Sequence, residues 1–293
     1  MEGSNDNEIR HLRRPGVTDL SVLRRGLPFS GDNFIVIGGS RGVGRGIVES
    51  AARNGGRVLA VARQLEPLRQ LARQVPGIEV FSLDATVNEA PSRVFEVMVP
   101  NVLVLCAGAC PPIAPLHTQS WEEFAVNWQT DVKIAFDFCK AALTRPLAAG
   151  ATVVLISSAA AIGGSPITGG YAGAKRTQMF IANYSQKESD RLGLGLRFMT
   201  LAPRIIPDTD LGNHAVAGYS RYLGISAANF VKSMVSPPTI CDVASAVTQL
   251  ASNPDKFKGQ MVFMSGNGLE TVSSSTVIVD GRCKSDSDRD DAD

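Results

Sequence analysis

No hydrophobic run in this chain approaches the ~18–20 residues that cross a bilayer, so no membrane-spanning helix is expected. The amino terminus has no apolar core of the kind a secretory signal carries, and Glu2, Asp6, Glu8 and Asp19 argue against a mitochondrial presequence. An excess of charge of one sign is also missing. The net charge of +1 leaves no footprint for nucleic acid or an acidic membrane. The five cysteines have no framework spacing, which fits a reducing compartment and a cytoplasmic location. Cys106 and Cys110 have no partner pair or histidine cluster nearby, so no metal is expected. What the chain does have, 44% hydrophobic residues and 28 glycines in 293, suits an α/β protein with many tight strand–helix turns.

The organising stretch is 153–175, VVLISSAAAIGGSPITGGYAGAK. Val153–Ile156 reads as a buried strand that Ser157 and Ser158 end. A loop rich in Gly, Ser and Pro follows, and a helix is predicted from near Tyr171. Tyr171 and Lys175, four apart, share one helix face, and Ser158 stands at the strand end before them. A phenol, an ammonium and a hydroxyl thereby converge, which suits proton transfer at an oxygen. A tyrosine of pKa ~10 is a poor base at neutral pH, and a neighbouring cation lowers that value. The serine can hold a substrate oxygen while charge develops on it. A bare Y-x-x-x-K usually marks an ordinary exposed pair; the serine spacing and the upstream glycines give this one weight.

Asn33–Ile37 is a second apolar strand, followed by GGSRGVGRG (Gly38, Gly39, Ser40, Arg41, Gly42, Val43, Gly44) and a helical pattern that stops at Asn54-Gly55-Gly56. Strand, glycine turn and helix form the setting in which a pyrophosphate rests on backbone N–H groups. After the strand Arg57–Ala62, the place where an acid would bind a ribose 2′-hydroxyl holds Ala62 followed by Arg63. Arg63, with Arg41 as a second cation, favours a 2′-phosphate and hence NADP(H); the alternative is an arginine facing water. Asp84, after the strand Ile78–Leu83, either accepts from an adenine amino group or caps the next helix.

Further strands are predicted at Val102–Leu105, Gly195–Leu201 and Gln260–Met264, and helices at Glu66–Val75, Trp121–Pro146, Tyr171–Leu192 and Asp242–Ser252. This alternation implies α/β architecture: a single Rossmann-type domain, a doubly wound parallel sheet of about seven strands with helices on both faces. The domain is expected over 30–272, between a polar extension at 1–29 and a polar, largely disordered tail at 273–293.

Together these residues resemble the short-chain dehydrogenase/reductase family over about Asn33 to Gly268. The family's T-G-x-x-x-G-x-G is met from Ile37 to Gly44, with Ile in place of Thr, and its serine and Y-x-x-x-K match Ser158, Tyr171 and Lys175. The resemblance implies cofactor contacts at Gly38, Ser40, Arg41, Gly42, Val43, Gly44, Arg63, Asp84, Ala107, Gly108, Tyr171, Lys175, Pro203 and Thr209. It also implies a homodimer or homotetramer. The chain departs from the pattern at Leu105-Cys106-Ala107-Gly108, where Asn-Asn-Ala-Gly is usual, and at Pro203-Arg204, where Pro-Gly is usual. The relay asparagine of the fourth helix falls on Trp128 when counted from Trp121, or on Asn127 if the helix begins one residue later.

The expected function is NADP(H)-dependent interconversion of a small-molecule carbonyl and a secondary alcohol, with Tyr171 as proton donor, Ser158 orienting the oxygen and Lys175 lowering the phenol pKa. The substrate is expected under Asp210–Ser236, which reads as a lid or as plain core. The alternatives are a non-catalytic NADP-binding sensor or scaffold, and an isomerase or reductive cyclase on the same site.

Overall fold

Short strands whose successive residues must be apolar on both faces leave little choice but a sheet covered by helices on each side. In the computed structural model, which describes residues 26–145, 147–272, 277–279 and 282–284, this is the arrangement found. The strands are β1 (Asn33–Ile37), β2 (Arg57–Ala62), β3 (Glu79–Ser82), β4 (Val102–Leu105), β5 (Thr152–Ile156), β6 (Arg197–Pro203), β7 (Met261–Ser265) and β8 (Gly268–Val272). They form one sheet in the order β3-β2-β1-β4-β5-β6-β7-β8. Neighbours from β3 to β7 are parallel, and only β8 runs antiparallel to β7, with Ser265 opposite Gly268 across a tight turn. The count is thus eight rather than about seven. The extra strand is an edge strand with mostly exposed side chains, so it lacks the apolar run that marks the others.

The helices are α1 (Gly42–Arg53), α2 (Leu65–Gln74), α3 (Ala90–Val97), α4 (Trp121–Asn127), α5 (Lys133–Thr144), α6 (Ala160–Gly163), α7 (Gly169–Leu192), α8 (Asp210–Leu223), α9 (Ala227–Ser233), α10 (Ile240–Ser252) and α11 (Pro254–Phe257). Alternate residues of each strand feed two cores. Phe34 and Val36 of β1 face Ile47 and Val48 of α1 and Val243 and Val247 of α10, whereas Ile35 and Ile37 face Val94 of α3 and Phe138 of α5. Phe29, in the segment read as an extension, is buried, and its ring centroid lies 4.6 Å from that of Phe34. Within 273–293, Val277–Val279 and Arg282–Lys284 pair as two short antiparallel strands; the rest of that tail, and residues 1–25, lie outside the described residues.

Two features position the site. The strand order reverses between β1 and β4, and at such a switch point the loops leaving the carboxyl ends part to form a crevice. The helix predicted as one piece over Trp121–Pro146 is two helices joined by a wide π-turn, Trp128–Val132. That turn carries one more residue than an α-turn and shifts the facing of everything after it. Pro146 lies outside the described residues.

Candidate active site

The crevice is a cleft of about 560 Å³ at the carboxyl ends of the strands. Its lining includes Gly38, Ser40, Arg41 and Gly42 from the glycine turn, Arg63 after β2, Asp84 after β3, Ala107 and Gly108 after β4, Tyr171 and Lys175 of α7, and Thr209 before α8. Of the residues expected at the cofactor, Val43, Gly44 and Pro203 are not part of this lining; they lie in α1 and at the end of β6.

The glycine turn is built by close approach. Gly38 has φ +91, and a Cβ there would lie 2.6 Å from the Ala107 nitrogen, so a side chain is excluded on two counts. The first turn of α1 has neither a side-chain cap nor an acidic residue, and its Gly42 lines the cleft, while the Gly44 N–H bonds the Cys106 thiol. This suits a pyrophosphate. Arg63 and Arg41 are both exposed at the rim, Arg41 standing 3.8 Å from Asp210. Asp84 Oδ1 accepts from the backbone N–H (2.9 Å) and the hydroxyl (2.7 Å) of Thr86. These bonds hold its carboxyl below the usual aspartate value. The Thr209 hydroxyl donates to Ile206 O and accepts from Gly212 N–H, capping α8, so it is already engaged.

Ser158, Tyr171 and Lys175 do converge. Ser158 hydrogen-bonds to Tyr171 and accepts from the Ala160 N–H at 3.2 Å. Lys175 Nζ lies 5.6 Å from the centre of the Tyr171 ring. The lysine is only 5% exposed, and all three of its hydrogens have acceptors: Ile156 O at 3.1 Å, Gln178 Oε1 at 3.2 Å and Asp131 Oδ2 at 3.1 Å.

Asp131 was missed in the sequence. It lies in the π-turn, is 1% exposed, and accepts at Oδ1 from the Ala109 N–H (2.9 Å) and from Asn127 Nδ2 (3.2 Å). Of the two positions considered for the relay asparagine, neither has its side chain on Lys175. Trp128 packs its ring against Gly173, and Asn127 donates to Ala109 O and to Asp131, while the side chain beside Lys175 is an acid. Counting at a constant 3.6 residues per turn cannot find it, because the wide turn intervenes. The one local trace is an aspartate four residues after an asparagine, in a helical stretch that also carries Glu122, Glu123, Lys133, Asp137 and Lys140.

The acid changes the electrostatics. Burial alone would lower the Lys175 ammonium, but Asp131, with Tyr171, outweighs burial and holds it above the usual lysine value. Burial pushes the Tyr171 phenol up; Lys175 and the Ser158 hydrogen bond pull it down without prevailing, and Asp131 adds to the rise. Lys175 thus pulls the way the sequence implied, yet the net direction is upward. The Cys106 thiol is pushed up to about 11, mainly by burial, and stays neutral. Among the described residues there is no cluster of His, Cys, Asp and Glu that could hold a metal.

Over the far rim, α8 and α9 pack on each other. Tyr219 and Phe230 stack at 5.4 Å, and the Tyr219 hydroxyl hydrogen-bonds Ser165 at 2.8 Å. His214 Nε2 binds Pro111 O at 2.9 Å, and His117 is exposed in a short 3₁₀ turn.

The sequence pattern described as short chain dehydrogenase matches residues 32–219. The chain belongs to that family. Human L-xylulose reductase is 30% identical over 104 residues, 36% of this chain and 43% of that protein. Pig carbonyl reductase [NADPH] 2 is 30% identical over 108 residues, 37% of this chain and 44% of that protein. The matched stretch thus spans under half the length of these two relatives. An NAD⁺-bound xylitol dehydrogenase structure superposes with a TM-score of 0.74 at 18% identity, covering 81% of this chain and 99% of that one, which shows the shared fold. No helix among the described residues is long and apolar enough to cross a membrane.

Proposed function

We propose that this short-chain dehydrogenase is an NADP(H)-dependent oxidoreductase that interconverts a small-molecule carbonyl and a secondary alcohol. The observation that carries the reading is the Tyr171 phenol, held between Ser158 and Lys175 in the same cleft as the glycine turn. The glycine turn and the open N-terminus of α1 would hold the pyrophosphate, and Ala107 and Gly108 would lie along the nucleotide. A reduced nicotinamide held there would supply the hydride for the new C–H bond. Tyr171 gives its Oη proton to the carbonyl oxygen, whose π pair becomes the O–H bond, and a proton from solvent restores the phenol. Ser158 orients that oxygen by hydrogen bonding.

Arg63 carries the choice of NADP(H). The pig relative's name carries NADPH and the structural neighbour's carries NAD⁺, so the names divide; the exposed guanidinium at the end of β2 favours the 2′-phosphate. Exposed Phe136 on α5, with Phe180 and Tyr184 stacked on α7, supports a homo-oligomer through that face. The free cysteines suit a cytoplasmic location.

The test is a fluorescence titration with NADPH and NADH. A preference for NADPH of tenfold or more, about 1.4 kcal/mol, is expected, lost in Arg63→Ala. Equal binding would return Arg63 to the surface and reopen NAD; no binding of either at millimolar concentration would end the oxidoreductase reading. Tyr171→Phe should abolish turnover, and activity within a few-fold of the parent would remove the phenol from the chemistry.

A further inference from the structure

An acid at contact distance from the lysine of the site is a feature that neither the motif nor the comparisons account for. Asp131 is wholly enclosed, fixed at Oδ1 by the Ala109 N–H and Asn127 Nδ2, and its main-chain carbonyl accepts from Gln178 Nε2 at 2.9 Å. Only Oδ2 remains, and it faces Lys175 at 3.1 Å. A Cβ on Gly108 would come within 2.6 Å of that same oxygen, so the end of β4 is shaped around the carboxylate.

The groups facing the phenol can be followed element by element. Lys175 comes from α7, Asp131 from the π-turn and Cys106 from the end of β4; these are the charged or titratable groups acting on Tyr171 among the described residues. Ser158, from the end of β5, is neutral, and so are Gln178 and Asn127. With the thiol un-ionised, the phenol sees one cation and one anion in contact, a pair with no net charge. A lone lysine would stabilise a phenolate; a lysine paired with a carboxylate 3.1 Å away does so less.

We propose that Asp131 tunes the proton chemistry of this site: by pairing with Lys175 it blunts that lysine's pull on the phenol and adds to burial in favouring the phenol form, the form that protonates a carbonyl oxygen. Asp131 touches no reacting atom and is a positioning residue, working through Lys175. This inference rests on the oxidoreductase reading above. Reduction needs the phenol, whose O–H bond breaks as the substrate oxygen takes the proton. Oxidation needs the phenolate, which takes the alcohol proton while the hydride leaves for the oxidised cofactor. At neutral pH the chain holds the first form ready and the second scarce.

The decisive experiment titrates Tyr171 itself in the full chain without nucleotide. The phenolate appears in ultraviolet difference absorbance, and subtracting the Tyr171→Phe protein removes the signals of the other three tyrosines. The parent midpoint should lie at or above the ordinary value of ~10. Asp131→Asn keeps the shape of the side chain and an acceptor for the Ala109 N–H, and should bring the midpoint down by about one pH unit or more, tenfold in the phenolate fraction. With turnover, Asp131→Asn should shift the rising limb of alcohol oxidation to lower pH by the same amount. A parent midpoint below about 9, or one that Asp131→Asn moves by less than about 0.3 unit, overturns the proposal. Should Asp131→Asn fail to fold, Asp131→Ser takes its place, with the same downward shift expected and the same result overturning the proposal. Failure of both nucleotides to bind would sink the oxidoreductase reading instead, and leaves the phenol titration intact as a measure of what Asp131 does to the tyrosine.

Discussion

Lys175→Met is the sharpest test of how the interior of the site is held together. The substitution keeps a long, flexible apolar side chain and removes the ammonium, leaving Asp131 Oδ2, Ile156 O and Gln178 Oε1 without their donor. Two unit charges 3.1 Å apart at an effective dielectric of about 20 attract by about 5 kcal/mol. Removing one partner of a buried pair costs about 3–5 kcal/mol by a separate route, the penalty of an uncompensated buried charge. The two figures agree, so we expect a loss of about 3–5 kcal/mol and a fall in melting temperature of about 6–20 °C for a chain of this size. Circular-dichroism melts at a fixed heating rate, without nucleotide, read it directly. Lys175→Met combined with Asp131→Asn removes both charges and should recover most of the loss, ending within about 1–2 kcal/mol of the parent. A single variant that melts within about 2 °C of the parent, or a double variant no better than the single one, would refute the claim that the pair is both charged and enclosed.

Gly108→Ala should cost about 1–3 kcal/mol and weaken nucleotide binding, because the new methyl must displace the Asp131 carboxylate; unchanged melting and affinity would show that the carboxylate can move aside freely. Stability should fall as pH climbs past about 10. The Tyr171 phenol, raised above its usual 10.0, stays neutral in the fold while the unfolded chain ionises. The Lys175 contribution, complete below its usual 10.5, is lost as pH rises through its higher folded value. Tyr171→Phe should flatten the first part of that loss, and an identical alkaline profile would count against the buried phenol. Thiol reagents near pH 8 should modify the exposed Cys241 and Cys110 in the folded chain while sparing buried Cys139, whose thiol is pushed up to about 12 by burial; equal labelling of Cys139 would contradict its enclosure.

Much of this was open to reading in the sequence, because the informative features are local. Val153–Ile156, the glycine turn and the Tyr171–Lys175 spacing each carry their structure within a few residues, and the parallel sheet follows from the order of such segments. Three things lay outside that reach. Strand β8 has an edge strand's mixed pattern and exists because β7 offers it an unpaired side. Helix α3 is eight residues opened by Ala90-Pro91, short enough to pass for a loop. Asp131 reaches the lysine only through a π-turn, and nothing in Trp128–Val132 considered alone says that the helix widens there. The upward direction of the Tyr171 shift escapes the motif for a different reason: it comes first from burial of the phenol, which spacing does not show, with Asp131 adding to it.

Where α7 crosses α4 the two backbones nearly touch: a Cβ on Gly170 would lie 2.1 Å from Phe124 O. Tyr171 and Lys175 follow directly on that crossing, and Asp131 lies in the π-turn that continues the helix it crosses, so the phenol, the ammonium and the carboxylate ride on a single rigid block. Helix α9, with no buried residue, is at the opposite extreme. In hydrogen-exchange terms, amides around 171–178 should be among the last in the molecule to exchange and those of 227–233 among the first, separated by several kcal/mol of opening free energy. Breathing at the substrate side can then proceed without disturbing the proton-transfer geometry, because the two motions share almost no backbone.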